Sequence, residues 1–461
     1  MAVTRFTVFN HLWAIAGFCE WHRWTWTESG GSEALLATSV ALFLFPNSVV
    51  CLAVYASTQM LFTALAMNSP WNHGLFMAFL NLGILLAIAR WGFERSRAGT
   101  AEPRSPDRDR ERLLDTFAPA FRLALIVLYL WTAFHKLNVD FVNPDVSCAG
   151  ALMGWMNEVY RFLPLERWAV IGAIASTLIV EFSVPVLLCF RRTAYIGLAL
   201  GAGFHLFLSQ YGGLHGFAAM LFALYFLFLP TAFTTRVGRR LATFASHPLQ
   251  RHALPLLALG GFVVGKALGH FLGVSYTQRG LLFWDVWLIG VLVVFGREWV
   301  GLMKMPTDYT LRPRWAPLLL IPLLTLANGA MPYLGLKTET SWAMYSNLRT
   351  AFAPNHLLVP ESARVFGLQD DLVTIEETTL PALEIYAGKP VALAPTEFRR
   401  IASAASDDFD VTVRIRDERE TLIVADGVST HPSWTTPDPW WVARLLPFRP
   451  VDTAPNASCR H

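Results

Sequence analysis

Charge is what this sequence has little of. Lys, Arg, Asp and Glu make up 15% of its 461 residues, against about 25% in soluble domains. That shortage excludes an ordinary water-soluble domain. The formal net charge of +3 also excludes a polyanion binder, so no nucleic-acid partner is expected. Cysteine is sparse: Cys19, Cys51, Cys148, Cys189 and Cys459 form no C-x-x-C pair, which excludes the usual zinc spacings. The histidines are scattered without an H-E-x-x-H pattern, so no metal centre is expected. There is no G-x-x-x-x-G-K-[ST] phosphate loop and no G-x-S-x-G elbow. No repeat of 20–50 residues is visible. The N-terminus, MAVTRFTVFNHLWAIAGFCEWHRW, lacks a basic stretch followed by a clean apolar run. It reads as an aromatic-rich interfacial helix and not as a cleavable signal peptide.

Apolar residues are abundant instead. They make up 54% of the chain, which points to an integral membrane protein. A spanning helix needs about 20 apolar residues. Nine segments qualify: 34–66, 74–92, 117–136, 168–190, 193–210, 214–233, 253–273, 281–297 and 316–334. The first is interrupted by Pro46 and reads either as one long span or as two half-spans. Arginine and lysine in the short loops set the orientation. Loop 93–116 carries Arg95, Arg97, Arg104, Arg108, Arg110 and Arg112, and the later loops on that side carry Arg191, Arg192, Arg236, Arg239, Arg240, Arg251, Lys304, Arg312 and Arg314. The alternate loops 67–73 and 211–213 carry none, and 274–280 carries only Arg279. The N-terminus is then cytoplasmic and the chain after 335 is exoplasmic. That tail is polar. Its runs LVTIEETTL and DVTVRIRDERETLIVADGV alternate like strands. TEFRRIASAAS reads as a short helix capped by Thr396. The expected fold is an all-α polytopic membrane bundle over 1–335, followed by a small mainly-β exoplasmic domain over 336–461.

Within the bundle, the run ALIVLYLWTAF ends abruptly in His135, Lys136, Asn138 and Asp140. Charged groups at membrane depth are costly and usually functional or paired. Other titratable residues fall at the same outer level: His73 opens the second span, His205 lies near the end of the fifth, and His215 starts the sixth. His270 ends the seventh and Asp285 begins the eighth. Each has a plain structural reading alone, since lysines snorkel at helix ends and histidines tolerate interfaces. Together they point to a polar pocket open to the exoplasmic side. Glu181 lies mid-helix, just ahead of Pro185. Arg122, on the third span, is its expected partner in a structural ion pair. Cys148 and Cys459 both fall outside, and their pairing is left open.

Two motifs carry a resemblance. One is Ser69-Pro70-Trp71-Asn72-His73, and the other is Phe134-His135-Lys136-Leu137-Asn138-Val139-Asp140-Phe141. Together they resemble vitamin K-dependent γ-carboxylase and its bacterial relatives in the horizontally transferred transmembrane (HTTM) family. There an asparagine-histidine pair opens one span, and a lysine-leucine-aspartate stretch with a further aspartate closes the next. The stretch YLGLKTETSWAMYSNLRT resembles the family's segment joining the last span to the lumenal domain. The resemblance covers about residues 10–350 and implies a bacterial inner-membrane enzyme. It makes His73 and Lys136 the catalytic residues, with Asn72, His135, Asn138 and Asp140 around them. The chain departs from the pattern in three ways: Asn138 replaces an aspartate, no tyrosine follows His73, and the tail is short.

The implied reaction needs reduced vitamin K (a menaquinol-type hydroquinone), with dioxygen and carbon dioxide as co-substrates and no metal. Oxygenation of the hydroquinone to an epoxide yields a base strong enough to take the γ-proton of a peptide glutamate, and the carbanion captures carbon dioxide. The partners are then an exported peptide or protein bearing glutamate, membrane lipid and the quinone. Starting the cycle requires a base for a phenolic proton, whose reference pKa is about 10. Desolvation makes a free lysine amine available, and Lys136 ends an apolar helix. His73 would donate a hydrogen bond to the developing oxyanion. Two other readings use the same outer cavity. One is a quinone-oxygenating or peptide-modifying enzyme without carboxylation. The other is a non-enzymatic lipid- or quinone-binding or transport protein, for which the broken first span is the supporting feature.

Overall fold

The structure, a computed structural model, describes residues 3–24, 32–66, 71–98, 105–161, 163–210, 214–236, 301–416 and 418–459. Its main helices are Arg5–Trp24 (α1), Ser32–Leu44 (α2), Val49–Leu65 (α3), Asn72–Ala98 (α4), Pro106–His135 (α5), Val139–Val142 (α6), Cys148–Tyr160 (α7), Arg167–Cys189 (α8), Ala194–Leu208 (α9), His215–Phe226 (α10) and Leu320–Leu334 (α11). Among the described residues, four helical segments are long and apolar enough to cross a membrane: Asn72–Arg97, Pro106–His135, Arg167–Cys189 and Ala316–Leu334. On α8, Trp168 and Ile179 are 69% and 65% exposed. Leaving such side chains in water forgoes about 25 cal/mol per Å², whereas lipid accommodates them.

Of the other expected spans, the first takes the two-half-span form and two more are shorter than read. The first is two helices of 13 and 17 residues, each below the span length of about 20. Pro46 makes the break, and side chains fix it. Asn10 Nδ2 donates to Pro46 O at 2.6 Å, Thr7 Oγ1 donates to Asn47 Oδ1 at 2.6 Å, and Ser48 caps α3 by accepting from Cys51 N. Helices α9 and α10 have 15 and 12 residues and are also short. The segments 253–273 and 281–297 lie outside the described residues.

Packing divides the chain into two units. The first holds Met1–Ala66, His73–Tyr129 and Val180–Thr325. Helix α1 belongs to its core. Phe6, Phe9, Trp13, Ala14 and Ala16 are all fully buried, and α1 packs on α2 and α10. A helix buried on every side is not interfacial, which corrects the reading of the N-terminus.

The second unit holds Met67–Asn72, Leu130–Ile179 and Leu326–His461. The polar tail thus packs together with 130–179. A disulfide joins Cys148 to Cys459 across 311 residues of sequence. The tail folds as a six-stranded antiparallel sheet of Val373–Thr378 (β1), Val391–Leu393 (β2), Phe409–Ile415 (β3), Glu418–Ala425 (β4), Val428–Ser429 (β5) and Val451–Asp452 (β6), in the order β5-β4-β3-β1-β2-β6. Val373, Ile375, Val411 and Val413 alternate into a core completed by Leu393, Leu422 and Phe398, as period-two patterning requires. Phe398 comes from helix Pro395–Ser403 (α12). Ala394 holds its cap position and Pro395 opens it, so Thr396 sits inside the helix and is not its cap. Proline's fixed φ and missing N–H suit the first helical position.

Candidate functional site

The last four carbonyls of a helix have no intrahelical partner. At the end of α5 each one is met. Thr132 O accepts from Lys136 Nζ at 3.3 Å, and Ala133 O accepts from Lys136 N at 3.1 Å. Phe134 O accepts from Leu137 N and from His356 Nε2, both at 3.0 Å. His135 O accepts from Asn138 Nδ2 at 2.8 Å. Asn138 then starts the next helix, its Oδ1 accepting from Phe141 N at 2.8 Å. The abrupt polar ending thus has a structural job: it stops one helix, caps it and begins another.

The tail completes the cluster. Asn138 Nδ2 also donates to Ser346 O at 2.6 Å. Val139 N donates to Asn355 O and Leu357 N donates to Leu137 O, so 137–139 pairs with 355–357 like two short strands. Asn355 Nδ2 donates to Asp140 Oδ2 at 2.7 Å and to Asn347 O at 2.8 Å. Arg349 lies 3.9 Å from the same Asp140 oxygen, but its nitrogens donate to Ala353, Asp452, Ala454 and Pro455 carbonyls. Asn72 belongs here too, accepting from Trp342 N at 2.9 Å. The loop that receives these bonds is strained. Thr340, Trp342, Tyr345, Asn347, Phe352 and Ala353 all have positive φ, a region that L side chains rarely occupy.

The ring of His135 stacks on Trp131 at 5.3 Å and on Tyr333 at 5.4 Å. Its Nε2 lies 3.0 Å from Ser341 O. A carbonyl only accepts, so Nε2 carries the proton, and Nδ1 accepts from the Tyr333 hydroxyl at 2.8 Å. Lys136 is 5% exposed, with its Nζ 5.9 Å from the centre of the Phe141 ring. His356 is fixed in the same tautomer as His135: its Nδ1 accepts from Leu358 N and Val359 N. Burial lowers its pKa from the ordinary histidine value, against the bond to Phe134 O, which raises it. Lys337, buried to 4% exposure, donates from Nζ to Thr340 Oγ1 at 3.3 Å. Burial lowers its pKa to about 8, against nearby Glu339, which raises it. Sequence reasoning missed Lys337, although a lysine three residues beyond an apolar span was a visible signal. It also missed Tyr333, Arg349, Asn355 and His356, which carry none.

The remaining candidates belong to the first unit. His73 is buried, and a Cβ on Gly216 would lie 3.2 Å from its Nε2. His205 meets the rings of Tyr129, Phe204 and Phe217 edge-on, and buried His215 opens α10. His270 and Asp285 lie outside the described residues. The expected Arg122–Glu181 pair does not form. Arg122 Nε and Nη2 donate to Leu227 O, and Nη1 donates to Thr310 O. Leu227 ends α10, and a helix end offers the orphan carbonyl that a guanidinium satisfies.

This unit also holds a network the sequence reading missed. The Trp13 indole N–H can only donate, and it does so to Asn81 Oδ1 at 2.9 Å. That sets the Asn81 amide, whose Nδ2 donates to Gln59 Oε1 at 2.8 Å. Gln59 Nε2 then faces both oxygens of Glu20 at 3.3 Å, with Gly74 O at 3.0 Å. Glu20 is fully buried. A Cβ at position 74 would lie 2.6 Å from Glu20 Oε1, so a side chain there would have to displace that carboxylate.

Among the described residues, no group of His, Cys, Asp and Glu could hold a metal ion. The chain matches no family model, no curated protein and no solved structure.

Proposed function

We propose that this chain is a membrane enzyme of the vitamin K-dependent carboxylase type. It would couple oxygenation of a reduced quinone to carboxylation of glutamate in an exported peptide. One observation carries the reading: Lys136 is buried just past the end of a membrane-length apolar helix, with its amine 5.9 Å from the centre of the Phe141 ring. A buried amine near an aromatic ring fits a flat aromatic diol delivered from lipid. When bound, the hydroquinone supplies, with dioxygen, the strong base that takes the glutamate γ-proton. The chain's own part is narrower. Lys136 Nζ takes the first phenolic proton. Burial of the surrounding side chains keeps water away.

The arginine asymmetry supports cytoplasmic loops at 93–116 and an exoplasmic tail. The Cys148–Cys459 disulfide supports an oxidising compartment for that tail, as in a bacterial inner membrane facing the periplasm. The test is turnover of a reduced quinone to its epoxide by the purified chain, with mass spectrometry of a co-expressed exported peptide for one added carbon dioxide on glutamate. Lys136→Ala should abolish both products. Lys136→Arg should do the same, because arginine stays protonated. Full activity in Lys136→Arg would refute the base role.

A further inference from the structure

The second unit contains a cavity of about 50 Å³, enough for a group of a few heavy atoms. Two of its lining residues carry a buried donor with no acceptor among the described residues. One is the Gln369 amide Nε2, on a side chain only 2% exposed. The other is Arg449 Nη2. Both residues line the cavity. The rest of each side chain is anchored. Arg449 Nε donates to Glu339 Oε2 at 3.1 Å and its Nη1 to Ala343 O at 3.0 Å, while Gln369 Oε1 accepts from Thr350 Oγ1 at 3.5 Å. The two loose N–H groups are therefore held in place and not swinging free.

Guanidinium and amide nitrogens only donate. A buried donor left without an acceptor is costly, and native proteins rarely keep one without a reason. Two of them on one cavity call for a ligand with two acceptors, and the cation favours an anion. Asp452 also lines the cavity, but its oxygens are turned to its own loop: Oδ1 accepts from Ala454 N, and Oδ2 from Ser458 N and Oγ. Arg349, on the same wall, adds positive charge with its nitrogens already bonded to carbonyls.

We propose that this cavity binds a carboxylate, with Gln369 Nε2 and Arg449 Nη2 as its two donors. The carboxylate belongs either to an acidic side chain of a peptide or to a small free dicarboxylate. A glutamyl peptide is also the substrate class of the proposed reaction, so binding is measured with no quinone present, and absent turnover and absent binding stay separate results.

The experiment uses the full chain purified in detergent. Three probes are titrated by calorimetry: N-acetyl-glutamyl-amide, its glutaminyl counterpart, and glutarate. The glutamyl probe or glutarate should bind, and the neutral glutaminyl probe should bind at least tenfold more weakly. Binding of the capped glutamyl probe assigns the site to a peptide side chain. Binding of glutarate alone assigns it to a free dicarboxylate. Gln369→Leu should weaken binding at least tenfold at little cost in melting temperature, because it removes an unsatisfied donor and only one long bond, the 3.5 Å contact from Thr350 Oγ1. Arg449→Gln should weaken it as much, but this change also cuts Glu339 and Ala343 loose, so Gln369→Leu is the deciding variant. No carboxylate binding to the unaltered chain, equal binding of the glutaminyl probe, or undiminished binding to Gln369→Leu would each overturn the proposal.

Discussion

Asn138→Asp is the most informative single change, because the resembling family carries aspartate at this position and the geometry here forbids it. Asn138 is fully buried. Its Nδ2 donates to His135 O at 2.8 Å and to Ser346 O at 2.6 Å. Aspartate keeps the oxygen that caps Phe141 N but replaces that nitrogen with oxygen, set against two carbonyl oxygens. Leaving a buried acceptor unmet costs about 1–3 kcal/mol, so two cost about 2–6 kcal/mol before any like-charge repulsion. The loss should depend on pH. A buried carboxyl facing carbonyls is easier to protonate folded than unfolded, where aspartate titrates near 3.9. The folded state then binds the extra proton. The variant is at its best below about pH 4 and loses stability as pH rises through the raised folded pKa. In the protonated form it also regains one donor. The assay is thermal unfolding of the purified variant in detergent at pH 5 and pH 8, beside the unaltered chain. Equal stability at pH 8, or a deficit unchanged between the two pH values, would refute the assignment of the amide nitrogen and the clamp built on it.

Three further outcomes follow from the geometry. Lys337→Met should stabilise the chain at pH 7 by up to roughly 3 kcal/mol, because burial lowers this lysine from its ordinary 10.5 to about 8. In the unaltered chain the corresponding penalty is full below about pH 8 and lifts as pH rises towards 10.5, so the advantage of the variant should vanish over that window in paired melts; a constant difference would show that the amine is not desolvated. Cys148→Ser should cost about 2–4 kcal/mol by removing the constraint on a long loop, and a reductant should do the same to the unaltered chain and nothing to the variant. Arg122→Leu should cost about 2–6 kcal/mol through the unmet carbonyls of Leu227 and Thr310, and its effect should add to that of Glu181→Gln within about 0.5 kcal/mol; coupling above about 1 kcal/mol would restore the ion pair.

What was legible in the sequence is what depends on neighbours along the chain. The apolar runs of α4, α5, α8 and the 316–334 segment read as membrane-length helices and are so. Alternation located β1, β3 and β4. Composition overreached at 193–210 and 214–233, because an apolar run does not reveal where helical bonding stops. It also mistook α1, whose aromatics suggest an interface; Asn10 and Glu20 are instead fully buried, and their partners Pro46 and Gln59 lie 36 and 39 residues away along the chain. The same limit applies to the site. His135, Lys136, Asn138 and Asp140 stood out as polar residues ending an apolar run. Ser341 and His356, which fix that ending, lie 206 and 222 residues from the groups they bind, and nothing local marks them.

That distance bears on what the cluster is for. Capping a helix end needs little: water, a glycine turn or one polar side chain serves. Here the end of α5 is held by a loop in which six non-glycine residues take positive φ. Such residues cost of order 1–3 kcal/mol each and persist only where the surroundings over-determine them. The surroundings do so residue by residue. Asn328 holds Thr340 O, Asn72 holds Trp342 N, Arg449 holds Ala343 O, Asn138 holds Ser346 O, and Asn355 holds Asn347 O. Thr340, Trp342, Tyr345 and Asn347, or a neighbour of each, are held in this way, and Ala353 O accepts from Arg349 Nε within the loop. A plain helix stop has no use for this arrangement. A site that must keep His135 in one tautomer and the Lys136 amine out of water does, since both depend on backbone groups staying where they are. That is the physical case for reading FHKLNVDF as more than the end of a helix.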